Sequence, residues 1–323
     1  MKRVVVAALI LVMVLFLAPL ILWGGASTLS GEKEEPETLT AVPSPAATPT
    51  ATPTSAPIAY LDSERTILVK LGDKIETMTM DKYLWGVVAA EMPATFESEA
   101  LKAQAVAART YALWRMGHTV ANHPEAQVCG DSTCCQAYIS PEKAAENWGE
   151  NAAAYSQKIT DAVSVTDGTV ILYDGSPIDA VFHSSSAGQT VDAVEVWGNA
   201  VPYLVGVDSP EGDEVPNYHT TVRISKKEAL KLLQEAYPDK KFGSDAESWF
   251  DDLDSEKVRT IFSLRSAHYS VETDGDELVF SVTGYGHGVG MSQYGANALA
   301  KSGKTYKEII EWYYTGVTVE QYK

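Results

Sequence analysis

The chain is short of several features that mark large protein classes. It has only three cysteines in 323 residues, an odd number that leaves one without a partner and cannot build a disulfide framework. Basic residues are scarce: 25 Lys+Arg stand against 43 Asp+Glu, a formal net charge of −18. Binding to phosphate backbones depends on clustered Lys and Arg, so the balance argues against a nucleic-acid partner. No internal repeat of fixed period is evident, and only one long apolar run occurs. Hydrophobic residues nevertheless make up 45% of the chain, an ordinary fraction for a folded domain and too high for a wholly disordered one.

The single apolar run follows Met1-Lys2-Arg3 and extends without a charge from Val4 to Trp23. That is the length a helix needs to cross a hydrocarbon core of about 30 Å. The basic end is expected to stay cytoplasmic, giving a stub at 1–3, a single-pass signal anchor at 4–23, and everything downstream outside the cytoplasm. The competing reading is a cleaved secretory signal, with Pro19 and Gly24-Gly25-Ala26 near a conceivable cleavage site. Residues 24–57 read as a linker. A charged cluster at 32–37 gives way to a charge-free stretch, Thr38 to Pro57, with prolines at 43, 45, 49, 53 and 57. Such a stretch buries too little apolar surface to offset its ordering entropy, and its prolines favour extended conformations.

Residues 58–323 form the expected functional body. Runs such as Thr66–Lys70, Thr169–Tyr173, Ala180–Phe182 and Leu278–Val282 read as strands. Helical periodicity covers Asp81–Met92, Ser98–Met116, Lys226–Ala236 and Tyr306–Tyr313. Strands and helices are mixed without a βαβ rhythm, which predicts the α+β class in one extracytoplasmic body.

In the first of these helices Leu84, Val87 and Val88 share one face, and Glu91 prolongs it one turn later. A carboxylate on an apolar stripe is a local inconsistency. Pro93 ends the helix just beyond it, so Glu91 lies among the last free carbonyls, where the helix dipole disfavours an anion. Partial burial acts in the same direction, toward a raised pKa and an acid able to donate a proton. A surface glutamate at a fraying helix end is the blander alternative. The next helix is dense in alanine; Lys102 and Arg109 lie on one face, Gln104 and Tyr111 on another. By themselves these polar residues fit a packed alanine face with snorkelling cations equally well.

His123, Cys129, Cys134 and Cys135 gather every cysteine of the chain into one short segment. Thiolates with an imidazole suit tetrahedral zinc. A Cys129–Cys135 or Cys129–Cys134 disulfide is equally compatible with the spacing outside the cytoplasm.

Four stretches together carry a resemblance. They are Trp85 to Pro93 with its Glu-Met-Pro triplet, Leu101 to Ala112, the serine-rich Phe182 to Thr190, and the glycine-rich Gly284 to Ala296. Across residues 58–323 the chain resembles the stage II sporulation protein D family; Ala187 stands where glycine is the commoner residue. The resemblance implies a lytic transglycosylase that cleaves the MurNAc–GlcNAc linkages of denuded peptidoglycan strands, leaving 1,6-anhydroMurNAc ends. Glu91 would be the catalytic residue. It also implies a structural zinc, one per chain, on His123, Cys129 and Cys135, with Cys134 as a possible fourth ligand. Lys102, Gln104, Arg109, Tyr111, Ser184, Ser185, His287, Gln293 and Tyr294 are expected to line the glycan groove. His183 and His287 read equally well as packed histidines. Implied partners are an amidase (stage II sporulation protein P) and a membrane protein (stage II sporulation protein M), with action in engulfment, between forespore and mother cell. The alternatives are a non-enzymatic amidase enhancer that binds wall polymers, and a metal-dependent wall hydrolase.

Overall fold

The computed structural model describes residues 61–322. The expected anchor, the linker and the start of the body at Ile58 lie outside the described residues. Among the described residues no helix is long and apolar enough to cross a membrane.

The architecture is α+β, as the mixed pattern predicts. A short helix α1 (Leu61–Glu64) leads into the hairpin β1 (Thr66–Leu71) and β2 (Lys74–Thr79), then α2 (Met80–Glu91) and α3 (Ser98–Met116). A loop containing β3 (Val128–Cys129) precedes α4 (Pro141–Trp148) and α5 (Ala152–Val165). Strands β4 (Thr169–Tyr173), β5 (Ser176–Pro177) and β6 (Phe182–His183) and helix α6 (Ala193–Trp197) follow. The C-terminal third holds β7 (His219–Ser225), α7 (Lys226–Ala236), α8 (Ser255–Ile261), β8 (Tyr269–Asp274) and β9 (Glu277–Thr283), then β10 (Met291–Ser292), α9 (Gln293–Lys301), α10 (Tyr306–Tyr313) and β11 (Thr318–Gln321). The sheets are small: β2-β1-β3, β11-β4-β5, the parallel pair β10-β6, and β7-β9-β8.

Helix α3 is the central post. From Ala100 to Ala112 every residue but Lys102 is buried, because α2, α5, α9, α10 and β4 all pack on it. Its alanines keep helix propensity high and let five neighbours approach closely. The larger side chains at the seams, such as Leu84, Val87, Leu101 and Ile171, are fully buried, each contributing roughly 1.5–3 kcal/mol. Arg109 lies inside this core. Its guanidinium pairs with Asp62 at 2.7 Å and donates to the carbonyls of Thr169 (3.0 Å) and Val163 (3.3 Å).

Residues 219–283 form a second apolar cluster, built on Leu233, Trp249, Phe250, Phe262, Leu278 and Phe280. This module is inserted between β6 and β10, and its two ends meet where the Gly284 N–H donates to the Tyr218 carbonyl at 2.9 Å. Closing the insertion there brings the serine-rich and glycine-rich segments side by side. Ser185 and Tyr285 pair across an antiparallel bridge, while Phe182 and His183 pair in parallel with Met291 and Ser292.

Gly86 on α2 shows why that helix carries a glycine. A Cβ there would strike the Tyr138 ring and sit 2.9 Å from the Ile139 carbonyl, and the Ile139 N–H donates to the Gly86 carbonyl at 3.2 Å. Gly86→Ala should therefore cost about 1–3 kcal/mol through overpacking, read as a lowered midpoint in denaturant unfolding. An unchanged midpoint would mean that the 136–139 loop yields freely.

Candidate active site and metal centre

Helix α2 ends where Met92 turns extended (φ −119°, ψ 142°) ahead of Pro93, which leaves Glu91 as its last residue. The Glu91 carboxylate has two donors. Oε1 accepts the Ala137 N–H at 2.7 Å, and Oε2 accepts the Gln293 side-chain amide at 3.1 Å. Burial raises the Glu91 pKa above the ordinary carboxylate value, opposed first by the Ala137 N–H and then by the Gln293 amide. No cation contributes to the shift. Lys102 is spent on Glu99 at 2.6 Å, and Arg109 is spent on Asp62.

Gln293 opens α9, whose N-cap Ser292 accepts the Gly295 N–H at 3.2 Å. Its amide also donates to Gln104 Oε1 at 3.4 Å, so three helices, α2, α3 and α9, converge through Glu91, Gln104 and Gln293. The nitrogen of the Gln104 amide is buried and has no hydrogen-bond partner. Beside them the Tyr294 backbone N–H donates to the Ser184 carbonyl at 3.0 Å, and the Tyr294 ring packs edge-on against Phe96 at 4.9 Å.

Of the residues expected to line a groove, Gln293 contacts Glu91, Gln104 is joined to it through Gln293, and Tyr294 and Ser184 follow along the backbone. Arg109 does not: it is fully buried, and its donors are bound to the protein itself, leaving none for a ligand. Lys102 is tied to Glu99, which in turn accepts the Tyr306 N–H. Tyr111 is buried and accepts from Arg115 Nε at 2.9 Å. His287 faces a different cleft, of about 350 Å³, along with Ser185 and Ser186. There it donates from Nε2 to the Phe182 carbonyl and accepts the Val289 N–H at Nδ1, and burial lowers its pKa to about 3. His183 is also neutral, its pKa lowered by burial to about 4, with Val289 and Ser186 on its two nitrogens. Both histidines have their two ring nitrogens hydrogen-bonded within the protein. A further cleft, lined by Met78, Trp85 and Tyr138, does not include Glu91.

Several contributors left no trace in the sequence. Ala137 acts through its backbone, which every residue type offers. Glu211 lies in the acidic run 208–214, which reads as a solvated loop. In the fold it is buried, accepting the Ser186 N–H (2.6 Å), the Ser292 hydroxyl (2.5 Å) and the Ser209 hydroxyl (2.5 Å). It thereby ties the serine-rich segment to the start of α9. Gly295 packs directly over this cluster, where a Cβ would strike Tyr313, Ser209 and Glu211.

The His/Cys segment closes into one cluster. The ligand atoms of His123, Cys129, Cys134 and Cys135 lie within 4.8 Å of one another, and all three cysteines are free thiols rather than a disulfide. His123 Nδ1 faces the Ala126 carbonyl at 3.0 Å, which leaves Nε2, 3.3 Å from Cys135 Sγ, as the ligating nitrogen. This donor set fits a metal ion that prefers soft tetrahedral ligands. Two residues past Cys135 stands Ala137, the donor to Glu91. Between them Gln136 donates to Tyr83 Oη at 3.0 Å and to the Ala108 carbonyl at 3.4 Å. The cluster therefore adjoins, two residues away, the backbone N–H that bonds the carboxylate.

The family model described as Stage II sporulation protein (SpoIID) matches residues 71–173, which include Glu91, the alanine-rich helix and the His/Cys cluster. Over 260 residues the chain is 36% identical to stage II sporulation protein D of Bacillus subtilis (strain 168), covering 76% of both chains. It is 34% identical over 261 residues to stage II sporulation protein D of Bacillus amyloliquefaciens, again with 76% of both covered. To the amidase enhancer of Bacillus subtilis (strain 168) it is 29% identical over 308 residues, which span 74% of this chain and 40% of that protein. With the carboxylate, the serine-rich segment and the glycine-rich segment assembled in one place, these likenesses establish that the chain belongs to the stage II sporulation protein D family.

Proposed function

We propose that the protein is a lytic transglycosylase of peptidoglycan, with Glu91 as its single acid and base. The observation that carries this reading is the environment of Glu91: partly buried, its pKa raised, and hydrogen-bonded only to an amide N–H and a side-chain amide. Ordinary glycoside hydrolases generally need two carboxylates, one to protonate the leaving oxygen and one to activate water or attack the sugar. Here the neutral Glu91 gives its proton to the glycosidic oxygen as the bond to the muramyl anomeric carbon breaks. The muramyl 6-hydroxyl oxygen then bonds to that carbon and returns its proton to Glu91. No water is consumed and the acid is regenerated, so one carboxyl group suffices.

The paired glutamines suit a group that changes protonation state during turnover. With Glu91 ionised, Gln293 donates to it. With Glu91 protonated, turning the Gln293 amide over presents an oxygen to the new O–H. Turning Gln104 as well lets its otherwise unpartnered nitrogen donate to that same oxygen. Glu91 then has a matched partner in either state without movement of the backbone.

A neutral acid at the start fixes the sign of the pH dependence. The rate should fall as pH rises through the raised Glu91 pKa, giving an alkaline limb absent from stability-only effects. By linkage, a carboxyl whose folded pKa is raised contributes stability that is full below its ordinary range and lost as pH rises through the folded value. Thermal melts of wild type and Glu91→Gln across that range check this: wild type should lose more stability than the variant, in which buried Asp62 and Asp179 still titrate. Parallel curves would show that Glu91 is not desolvated.

The ion in the His123, Cys129, Cys134 and Cys135 cluster is proposed to be zinc, one per chain, held by four protein ligands in a structural role. Bound there, it would fix the loop that presents Ala137. A hydrolase reading would require an open metal position beside the substrate, which a four-ligand cluster does not offer. Placement outside the cytoplasm on a single-pass anchor, and work alongside an amidase and a membrane protein during engulfment, are proposals of the same standing. The likeness to the amidase enhancer favours a second reading, a wall-binding modifier, which retention of Glu91 in its Glu-Met-Pro setting opposes.

A further inference from the structure

One arginine that acts on Tyr294, the neighbour of Gln293, has no charged partner. Arg265, in the chain between α8 and β8, holds its guanidinium 3.9 Å over the ring of Tyr285. None of the ion pairs among the described residues includes it. Its Nε is buried without a hydrogen-bond partner. A guanidinium in this condition has lost part of its hydration and gained only a ring face in return. Tyr285 is itself 45% exposed, so its side chain is accessible to a ligand.

The position of the pair follows from the backbone. Tyr285 and Ser185 exchange two backbone hydrogen bonds, of 2.8 and 3.0 Å. The neighbouring Ser184 carbonyl accepts from Tyr294, which follows the Gln293 that contacts Glu91. Arg265 acts electrostatically on Tyr294, opposing the upward pull of burial on its hydroxyl. The arginine thus lies against Tyr285 and within electrostatic reach of Tyr294, in a chain whose net charge is −18. In such a chain an unpaired cation is where an anionic substrate group gains most from being placed.

We propose that Arg265 and Tyr285 form a subsite that binds a carboxylate on the glycan, the guanidinium taking it through its forked donors while the tyrosine face packs on the sugar. This rests on the peptidoglycan reading above. Two sources supply that chemistry: the lactyl carboxylate that muramic acid bears once its peptide is removed, and the carboxylates of an attached stem peptide. A guanidinium's planar fork matches either one bidentately.

The test is a binding cycle on the full-length chain carrying Glu91→Gln, so that strands are not consumed, with and without Arg265→Gln. The probes are peptide-free glycan strands, the same strands with their carboxylates methyl-esterified, and stem-bearing strands with free or amidated peptide carboxylates. Without Arg265→Gln, masking the carboxylate that is read should weaken binding about tenfold. With Arg265→Gln, binding should be weak and indifferent to masking. Arg265→Lys, which keeps charge but loses the fork, should fall between them, and melts should show all variants folded. If masking the lactyl group alone matters, the source is the bared sugar; if masking the peptide alone matters, it is the stem. Equal discrimination with and without Arg265→Gln, or no discrimination by either, overturns the subsite. Absence of anhydro product from the wild-type chain would overturn the transglycosylase reading instead, and leaves this binding result readable.

Discussion

Glu91→Gln is expected to bind glycan strands as the wild type does and to release anhydro product about 10²–10⁴-fold more slowly. The magnitude is that of losing general acid–base transfer alone, roughly 3–5 kcal/mol in the barrier. The fold should survive because glutamine keeps the shape of the side chain and an oxygen for the Ala137 N–H. Its new NH₂ would meet the donor nitrogen of Gln293, but the Gln293 and Gln104 amides can turn over to accept it. No buried cation is stranded by the change, since neither Lys102 nor Arg109 depends on Glu91. Circular dichroism and strand-binding isotherms establish integrity, and product release over time gives the rate. A folded Glu91→Gln chain with near-wild-type cleavage would move the chemistry to another residue.

Loss of the metal cluster is expected to be the second most damaging change, although none of its ligands touches Glu91. Cys135→Ser removes a soft ligand two residues from Ala137, whose N–H is the shorter of the two bonds to the carboxylate. A serine hydroxyl is a poor substitute for a thiolate at a soft site. Displacing a positioning group by about 1 Å can cost about 10²-fold in rate. The pH profile separates this cause from general unfolding. The Ala137 hydrogen bond lowers the Glu91 pKa against desolvation. Losing it lets that pKa climb further, so the alkaline limb of the rate should move to higher pH as the maximum rate falls. Elemental analysis of chain purified without added metal should find one metal per chain in wild type and less in Cys135→Ser. Full activity in a metal-free chain, with the alkaline limb unmoved, would detach the cluster from the site.

Legibility in the sequence followed the range of the forces involved. Helices α3, α7 and α10 match their predicted bounds, and α2 is one residue early at each end, because apolar periodicity and caps are local. The strand predicted over 180–182 forms instead as Phe182–His183, since its partner is Met291–Ser292 and a register with a segment that distant is not written locally. Glu91 stood out as a carboxylate on an apolar stripe ahead of a proline. The His/Cys cluster was legible as a set of residues but not as a choice between metal and disulfide, which depends on how the loop closes. Arg109 shows the opposite failure. By itself it fits a snorkelling cation, and with the family resemblance it is expected to contact substrate, yet it belongs to a buried pair whose other half, Asp62, lies 47 positions earlier. Glu211 and the Ala137 N–H left no signal at all, because one hides in an acidic run and the other is backbone.

The most direct test of the central claim is the chemistry of the cut ends. Peptide-free glycan strands digested with the full-length chain should yield fragments ending in 1,6-anhydromuramyl residues, read by mass spectrometry as products 18 Da lighter than hydrolytic ones, about the mass of one water. Reducing ends in their place would mean that water is the acceptor and a second activating group exists. Strands left intact by a folded, metal-loaded chain would contradict the enzyme reading and favour the wall-binding modifier.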